Sequence, residues 1–307
     1  MFETLVSKNG LSLDRLRVLV EVADSGGISR AVGNDPTRQS QYSRQLKELG
    51  QAFGIELTCR QGRSLTLTPE GAKLAALARQ ALTGLADFSA TVSHRPVVYR
   101  IGAGESLLQW VVAPVLASIR QSFPRAVFAC TNRRTSDIIN ALLDFSLDYG
   151  LIRANAVPAG LGAKPVGSLD YRLFVPKTML PAKMPKASQR LLTELPLATL
   201  DGDGDYTAGL ASIARGISQP LHIALTCSTL PQVCQAVRGG GFAGVLPILA
   251  RQELPETAFK ELDLPALRSL RRPLALCWNP RMSAIREGAE RVTMQLAEKL
   301  NQKIHAR

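Results

Sequence analysis

Four side chains at helical spacing, Ser40, Ser43, Arg44 and Lys47, put hydroxyl and cationic groups on one face. Such groups hydrogen-bond polar edges and neutralise anions, so this face is set to meet a partner. Tyr42, Leu46, Leu49 and Phe53 fall nearly opposite, as the buried side of the same helix requires. Thr37 is predicted to open that helix, and Gly54 to close it after Phe53. Before it, Gly33-Asn34-Asp35-Pro36 reads as a break, residues 28–32 as a brief helix, and Asp24-Ser25-Gly26-Gly27 as another break. Ser12 caps a first helix with Leu13, Leu16, Val20 and Ala23 in one stripe, and residues 1–11 read as a short extension. Helices separated by tight turns, the last with a polar and basic outer face, describe a helix-turn-helix, whose second helix enters the DNA major groove.

Residues 55–60 and 64–68 alternate in period two around Gln61-Gly62-Arg63, which predicts a small hairpin with Arg60 and Arg63 at its tip. Behind a helix-turn-helix such a hairpin is a wing that reaches phosphate or the minor groove. Thr68-Pro69-Glu70 then starts a helix in which Leu74, Ala78, Ala81, Leu85 and Phe88 recur in steps of four and three. That is the seam of a helix pair, read as a dimer helix because a reader of two half-sites needs one, the alternative being that this face packs on its own domain.

Other chemistries find little support. His94, His222 and His305 are far apart, and no HExxH, GxSxG or phosphate-binding loop occurs. Residues 239–244 read GGGFAG, without the spacing of a dinucleotide site. Asp201, Asp203 and Asp205 alternate in a glycine-rich loop but lack the terminal Glu of a calcium loop, so a solvated loop is expected and no metal or cofactor. The five cysteines, Cys59, Cys130, Cys227, Cys234 and Cys277, are scattered and suit a reducing compartment. Cys227 and Cys234 lie close enough in sequence for a switching disulfide, although packing as small hydrophobes is the plainer reading. Lys and Arg outnumber Asp and Glu by 37 to 25, which favours a polyanionic partner. With no signal peptide and no apolar run long enough to span a bilayer, a cytoplasmic protein without membrane contact is expected.

The stretch of residues 22–32, the run Gln39-Ser40-Gln41-Tyr42-Ser43-Arg44-Gln45-Leu46, then Arg60-Gln61-Gly62-Arg63 and Leu67-Thr68-Pro69-Glu70-Gly71 together resemble the LysR-type transcriptional regulators in order and spacing. The resemblance implies that Gln39, Ser40, Ser43 and Arg44 face the groove. There Gln suits adenine, Arg suits guanine, and Ser suits either base or phosphate. It implies backbone or minor-groove contacts for Arg60 and Arg63. The chain departs from the family where Asp35-Pro36-Thr37-Arg38 stands in place of an apolar residue followed by Val-Ser. That departure predicts a looser helix-turn-helix core and an added basic contact through Arg38.

From Val97 onward strand and helix patterns alternate, which argues for an α/β domain. Strands are expected near 98–103, 127–130, 148–152, 243–247 and 273–278, with helices after residue 106, at 137–145 and, as one amphipathic final helix, at 281–300. "YRIGAGESLLQWVVAPVLASIRQSFP", "LDYGLI" and "AVRGGGFAGVLP" resemble the effector-binding half of the same family. The fold expected is therefore an N-terminal all-α winged helix-turn-helix plus a C-terminal α/β two-lobed domain like a periplasmic binding protein. Its units are the reader at 1–68, a dimerisation helix and hinge at 69–95, and an effector-binding domain at 96–307. Lobe one takes residues 97–168 and 271–305, and lobe two 169–270.

By this resemblance Ser106 and Thr135 contact a small-molecule effector between the lobes, with Thr229 from the second lobe, although capping of their own helices is an equal reading for Ser106 and Thr135. Glu105 favours a cation or amine, while Arg134 and Arg153 offset it, which leaves the effector charge open. The expected partners are a dyad-symmetric double-stranded DNA operator, the effector, and further copies of the chain as a dimer or tetramer. Two rivals stand beside this reading: a DNA-binding protein whose C-terminal domain only oligomerises, and a cytoplasmic solute-binding protein.

Overall fold

A computed structural model of the chain describes residue 3 and residues 10–33, 35–61, 64–182, 188–202, 204–286 and 288–305. Helix α1 (Leu13–Ser25) begins where the Ser12 hydroxyl accepts the Arg15 N–H at 3.2 Å. It ends at Gly26, whose φ of 70° lets the N–H groups of Gly26 and Gly27 return to the carbonyls of Ala23 and Val22. At Gly27 a Cβ would stand 2.9 Å from the Leu65 carbonyl oxygen, so the turn between α1 and α2 (Ile28–Val32) lies directly against the wing.

Helix α3 (Pro36–Phe53) starts one residue before the Thr37 expected from sequence. Asp35 is its cap and accepts the N–H groups of Thr37 and Arg38 at 3.0 and 3.1 Å, while Pro36 fills the first helical position, where no N–H is needed. Asp35-Pro36 is thus a start signal, and the looser core expected from this departure does not occur. Val18, Leu19, Val22, Val32, Tyr42, Leu46 and Leu49 are all buried in one cluster. The Tyr42 hydroxyl donates to Glu21 at 2.5 Å and ties α3 to α1.

The wing is formed by β1 (Thr58–Gln61) and β2 (Ser64–Leu67), antiparallel, with Thr58 opposite Leu67 and Gln61 opposite Ser64. Helix α4 (Pro69–Val92) follows, capped by the Thr68 hydroxyl, which accepts the Gly71 N–H at 3.0 Å. Its 24 residues make a rod about 36 Å long. The expected seam divides along this rod. Leu74 packs on the helix-turn-helix core and Ala78 is buried, whereas Leu85 and Phe88 point outward at 53% and 70% exposure. Leu77 and Val92 join them, so the outward stripe is Leu77, Ala81, Leu85, Phe88 and Val92. One face of the rod is used by the chain itself, and the outward stripe from Leu77 to Val92 is left for a partner.

Two five-stranded sheets make up the remainder. The first is built from β3 (Val97–Ala103), β4 (Ala126–Asn132), β5 (Tyr149–Arg153) and β6 (Gly162–Leu169), in the order β4-β3-β5-β12-β6 once β12 (Arg272–Trp278) returns to it. The second holds β7 (Tyr171–Pro176), β8 (Leu197–Leu200), β9 (Ile223–Cys227), β10 (Ala243–Pro247) and β11 (Phe259–Leu262), in the order β11-β7-β10-β8-β9. In each sheet four strands run in one direction and one runs against them, β12 in the first and β7 in the second. The chain passes between the sheets at Asp170 and again at Arg271.

Helix α5 covers residues 105–122, α-helical at Glu105–Leu107, π-helical at Leu108–Val112 and α-helical again at Ala113–Ser122. It buries Leu107, Val111, Val115 and Ile119, the side expected to face inward. Helix α6 (Thr135–Leu143) starts two residues earlier than the expected 137 and packs over β5, where a Cβ on Gly150 would stand 2.5 Å from Ile138. Helices α7 (Asp205–Ile217) and α8 (Leu230–Arg238) cover the second sheet.

The single final helix expected over 281–300 is instead two, α9 (Pro280–Ile285) and α10 (Ala289–His305). They are broken because Arg286 takes an extended conformation and turns its side chain inward. There the guanidinium meets Asp87 of α4 and Asp148, each at 2.5 Å, donates to the Val98 carbonyl at 2.6 Å, and lies 4.5 Å from the Tyr99 ring centroid.

Candidate nucleic-acid interface and inter-lobe cleft

The outer face of α3 carries Ser40, Arg44 and Lys47, all exposed, with Ser43 half-buried beside them, and Arg38 is exposed near the start of the helix. Burial of the opposite face fixes this orientation. Arg44 is 73% exposed and held only by a 3.9 Å contact to Glu48, whose other oxygen is engaged by Arg15. A contact so exposed costs well under about 1 kcal/mol to release, so Arg44 is free to turn to a partner. Arg38 lies 5.8 Å from the Tyr42 ring centroid, which holds it near the start of the helix. Gln39 is less available, because its amide donates to the Gly33 carbonyl at 3.0 Å, and two-point pairing with adenine requires breaking that bond. Arg60 is exposed on β1, opposite Leu65, and Arg63 lies outside the described residues. The structure therefore gathers Ser40, Ser43 and Arg44 on one face, leaves Arg38 exposed near the start of the helix on the Tyr42 side, and sets Arg60 on the adjoining wing.

A cleft of about 980 Å³ opens between the two sheets. All five residues singled out for it, Glu105, Ser106, Thr135, Arg153 and Thr229, line it. Helices α5, α6, α7 and α8 all begin there, so their positive dipole ends face the same space, and the starts of α5, α6 and α7 have no side-chain cap. The reading of Ser106 and Thr135 as helix caps fails. The capping positions belong to Gly104 and Arg134, neither helix has a side-chain cap bond, and both hydroxyls sit inside the first turn. Thr229 does cap, accepting the Gln232 N–H at 3.3 Å in a reciprocal capping box.

Several cleft residues escaped sequence reasoning. Asp201 and Asp205, taken for a solvated loop, form the wall contributed by the second sheet, while Asp203 lies outside the described residues. Asp205 is the first residue of α7 and pairs with Arg153 across the cleft. Arg272 also faces the cleft and donates to the carbonyls of Leu270 and Asp205 at 2.9 Å each. Tyr206 and Tyr171 form the floor with ring centroids 5.6 Å apart. Burial pushes both phenols up, Tyr171 to about 12, so both stay neutral, and Tyr206 donates to the Val245 carbonyl at 2.7 Å. The one sequence signal for Asp205 was Gly204 just before it, a helix-start pattern hidden by the alternating acids.

Among the described residues, no three His, Cys, Asp or Glu side chains group as a metal site, and no helix is long and apolar enough to cross a membrane.

Comparison with known proteins agrees with both halves of this geometry. Residues 13–72 match the model of bacterial regulatory helix-turn-helix proteins of the lysR family, and residues 98–296 match the LysR substrate binding domain. A probable hydrogen peroxide-inducible genes activator of Mycobacterium avium is 30% identical over 228 residues, covering 70% of this chain and 73% of that protein. The transcriptional regulator MetR of Salmonella typhimurium is 27% identical over 192 residues, covering 62% of this chain and 58% of that one. Among solved structures, a full-length OxyR variant from Pseudomonas aeruginosa superposes with a TM-score of 0.67 at 19% identity over 94% of both chains. Full-length LysG from Corynebacterium glutamicum, with bound effector arginine, gives 0.62 at 17% identity over 96% of this chain and 98% of that one. Matched in its DNA-binding module and across its two-sheet domain, the chain belongs to the LysR family and is a transcription regulator with a helix-turn-helix and an effector-binding domain.

Proposed function

We propose that α3 enters the major groove of a dyad-symmetric operator, with Arg44 reading a base edge, Arg38, Ser40 and Ser43 holding base or phosphate, and Gln39 joining after it leaves Gly33. Arg60 and Arg63 add wing contacts to the backbone or minor groove. The observation that carries this reading is the exposed basic face of α3, held outward by the burial of Tyr42, Leu46 and Leu49 on the opposite face. Two copies pair through the outward stripe of α4, as dimers or pairs of dimers, and act in the cytoplasm. The reader occupies residues 1–68, the linker 69–95 and the effector domain 96–307, with the lobes meeting at the two crossings. The effector binds in the inter-lobe cleft through Ser106, Thr135 and Arg153, with Glu105 and Thr229 at its margins, and acts by favouring one arrangement of the lobes over another.

Peroxide sensing through a thiolate, suggested by the names of some relatives, is not part of this reading. Burial pushes Cys130 and Cys227 up, and Cys234 and Cys277 up to about 12, away from the thiolate that such chemistry uses, and the fifth cysteine, Cys59, lies on the wing and not in the two-sheet domain.

Selection of bound duplexes from a random pool at near-physiological salt tests the proposal. An enriched inverted repeat, lost in the Arg38→Ala, Arg44→Ala double variant, is the expected result. Weak, salt-sensitive retention with no enriched motif overturns it, because basic charge alone produces that pattern.

A further inference from the structure

The cleft charges point to a ligand class. This inference rests on reading the cleft as the effector site. Arg153 ends β5 in the first sheet's lobe and Asp205 opens α7 in the other, so their ion pair ties the lobes together across the cleft. With the guanidinium 32% and the carboxylate 57% exposed, the pair is a weak latch that a ligand can displace. Close by, Glu105, Arg133 and Arg134 line the same cleft and form no ion pair among the described residues.

A purely anionic ligand that takes Arg153 strips Asp205 of its partner and meets Glu105 as well. A purely cationic ligand that takes Asp205 strands Arg153 and faces Arg133 and Arg134. A dipolar ligand avoids both costs. Its carboxylate replaces Asp205 at Arg153, helped by the Thr135 hydroxyl and the unpaired N–H groups at the start of α6, and its ammonium takes Asp205 with Glu105 behind it. One ion pair becomes two as the lobes close, and neither Arg153 nor Asp205 loses its partner. We propose that the cleft takes a zwitterionic effector of α-amino-acid type, inserted into the Arg153–Asp205 pair. A volume of about 980 Å³ leaves room for a sizeable side chain over the tyrosine floor.

The test is thermal melting of the full-length protein with three pools at neutral pH: the twenty common L-amino acids, their desamino carboxylic acids, and their decarboxylated amines. The expected result is a rise of about 5 °C with at least one amino acid at a hundredfold excess over Kd, and none with its two analogues. Arg153→Met and Asp205→Asn, both at partly exposed sites, should melt within about 2 °C of the parent without ligand and weaken that amino acid at least tenfold. An equal rise with the carboxylic acid or the amine overturns the dipolar class. If that rise vanishes in Ser106→Ala, Thr135→Ala, the cleft remains the effector site. An amino-acid response untouched by Arg153→Met and Asp205→Asn overturns the proposal too. No response to any pool overturns the ligand class and leaves the sensing role of the domain to an effector of other chemistry.

Discussion

Replacing Arg286 with Met should destabilise the effector domain by about 3–5 kcal/mol, because it leaves a buried carboxylate without its cation. The Arg286 side chain is 2% exposed, and Asp148 and Asp87 are 5% and 14% exposed. Its donors reach Asp87, Asp148 and the Val98 carbonyl, and its flat face lies on Tyr99. Desolvation works to lower the guanidinium pKa, but the charges of Asp148 and Asp87 outweigh it and the net direction is up, so the group stays charged. Met fills a similar volume and keeps an apolar contact with the Tyr99 ring in place of the cation, so the lost energy is mainly that of the two abandoned carboxylates and the Val98 carbonyl. Asp148 retains only the Arg100 N–H, at 2.6 Å, as a hydrogen-bond donor.

Urea unfolding followed by tryptophan fluorescence reads this directly, since both tryptophans, Trp110 and Trp278, belong to the same lobe as Asp148. With a slope near 2 kcal/mol per molar urea, the midpoint should fall by about 1.5–2.5 M. Adding Asp148→Asn removes the stranded charge, so the double variant should be more stable than the sum of the two single losses by about 1–3 kcal/mol. A loss below about 1 kcal/mol for Arg286→Met, or strict additivity in the double variant, would refute the claim that a buried charge balance holds this junction together.

Four further outcomes follow from the geometry. Arg44→Ala should cost about 1–3 kcal/mol of discrimination at one operator position in competition binding, and an equal loss on every sequence would make Arg44 a phosphate contact instead. Phe88→Glu places a charge in the outward stripe of α4 and should shift sedimentation toward the monomer at micromolar concentration. An unchanged sedimentation coefficient removes α4 as the pairing surface. Asp35→Ala deletes two N–H contacts at the start of α3 and should weaken operator binding or lower stability by about 1 kcal/mol, whereas Asp35→Asn should restore most of the loss. Because burial raises Cys234 and Cys277 to about 12, iodoacetamide at pH 8 should leave both largely unmodified in the native protein by mass spectrometry, and rapid labelling of either contradicts the packing around it.

The helix-turn-helix was legible because its determinants are local. Gly26-Gly27 ends one helix, Gly54 ends another, and the apolar period of Tyr42, Leu46 and Leu49 says which face of α3 is buried. Pro36 was misread for a reason of context: a proline that ends helices when it lies inside them begins one when Asp35 stands ready to cap it. The cleft residues on α5 and α6 came from a resemblance at strand ends, and the fold brings all of them together. What stayed hidden depends on contacts that are distant in sequence. Arg286 looked like one more polar residue of an amphipathic helix, because its partner Asp87 is 199 residues away and Asp148 lies in another loop. Asp205 looked solvated because nothing near it in the chain announces Arg153.

These two hidden contacts lie at opposite ends of one strand. Asp148, bound to Arg286 and through it to Asp87 of the linker helix, comes directly before Tyr149 of β5, and the same strand ends at Arg153 in the cleft. Five extended residues span about 17 Å, and β5 is held on both sides by β3 and β12, so it behaves as a strut between the cleft and α4. Arg79 gives α4 a second attachment, with Asp24 of α1 at 2.7 Å on one side and the Asp144 carbonyl at 3.0 Å on the other. Contiguity of this kind is not by itself coupling, which requires two arrangements that an effector binds unequally. It does say where coupling would be lost. Asp87→Asn weakens the junction at its most exposed member while leaving the cleft and α3 intact. If the signal travels by this route, the variant keeps its operator and its effector and loses the dependence of one on the other.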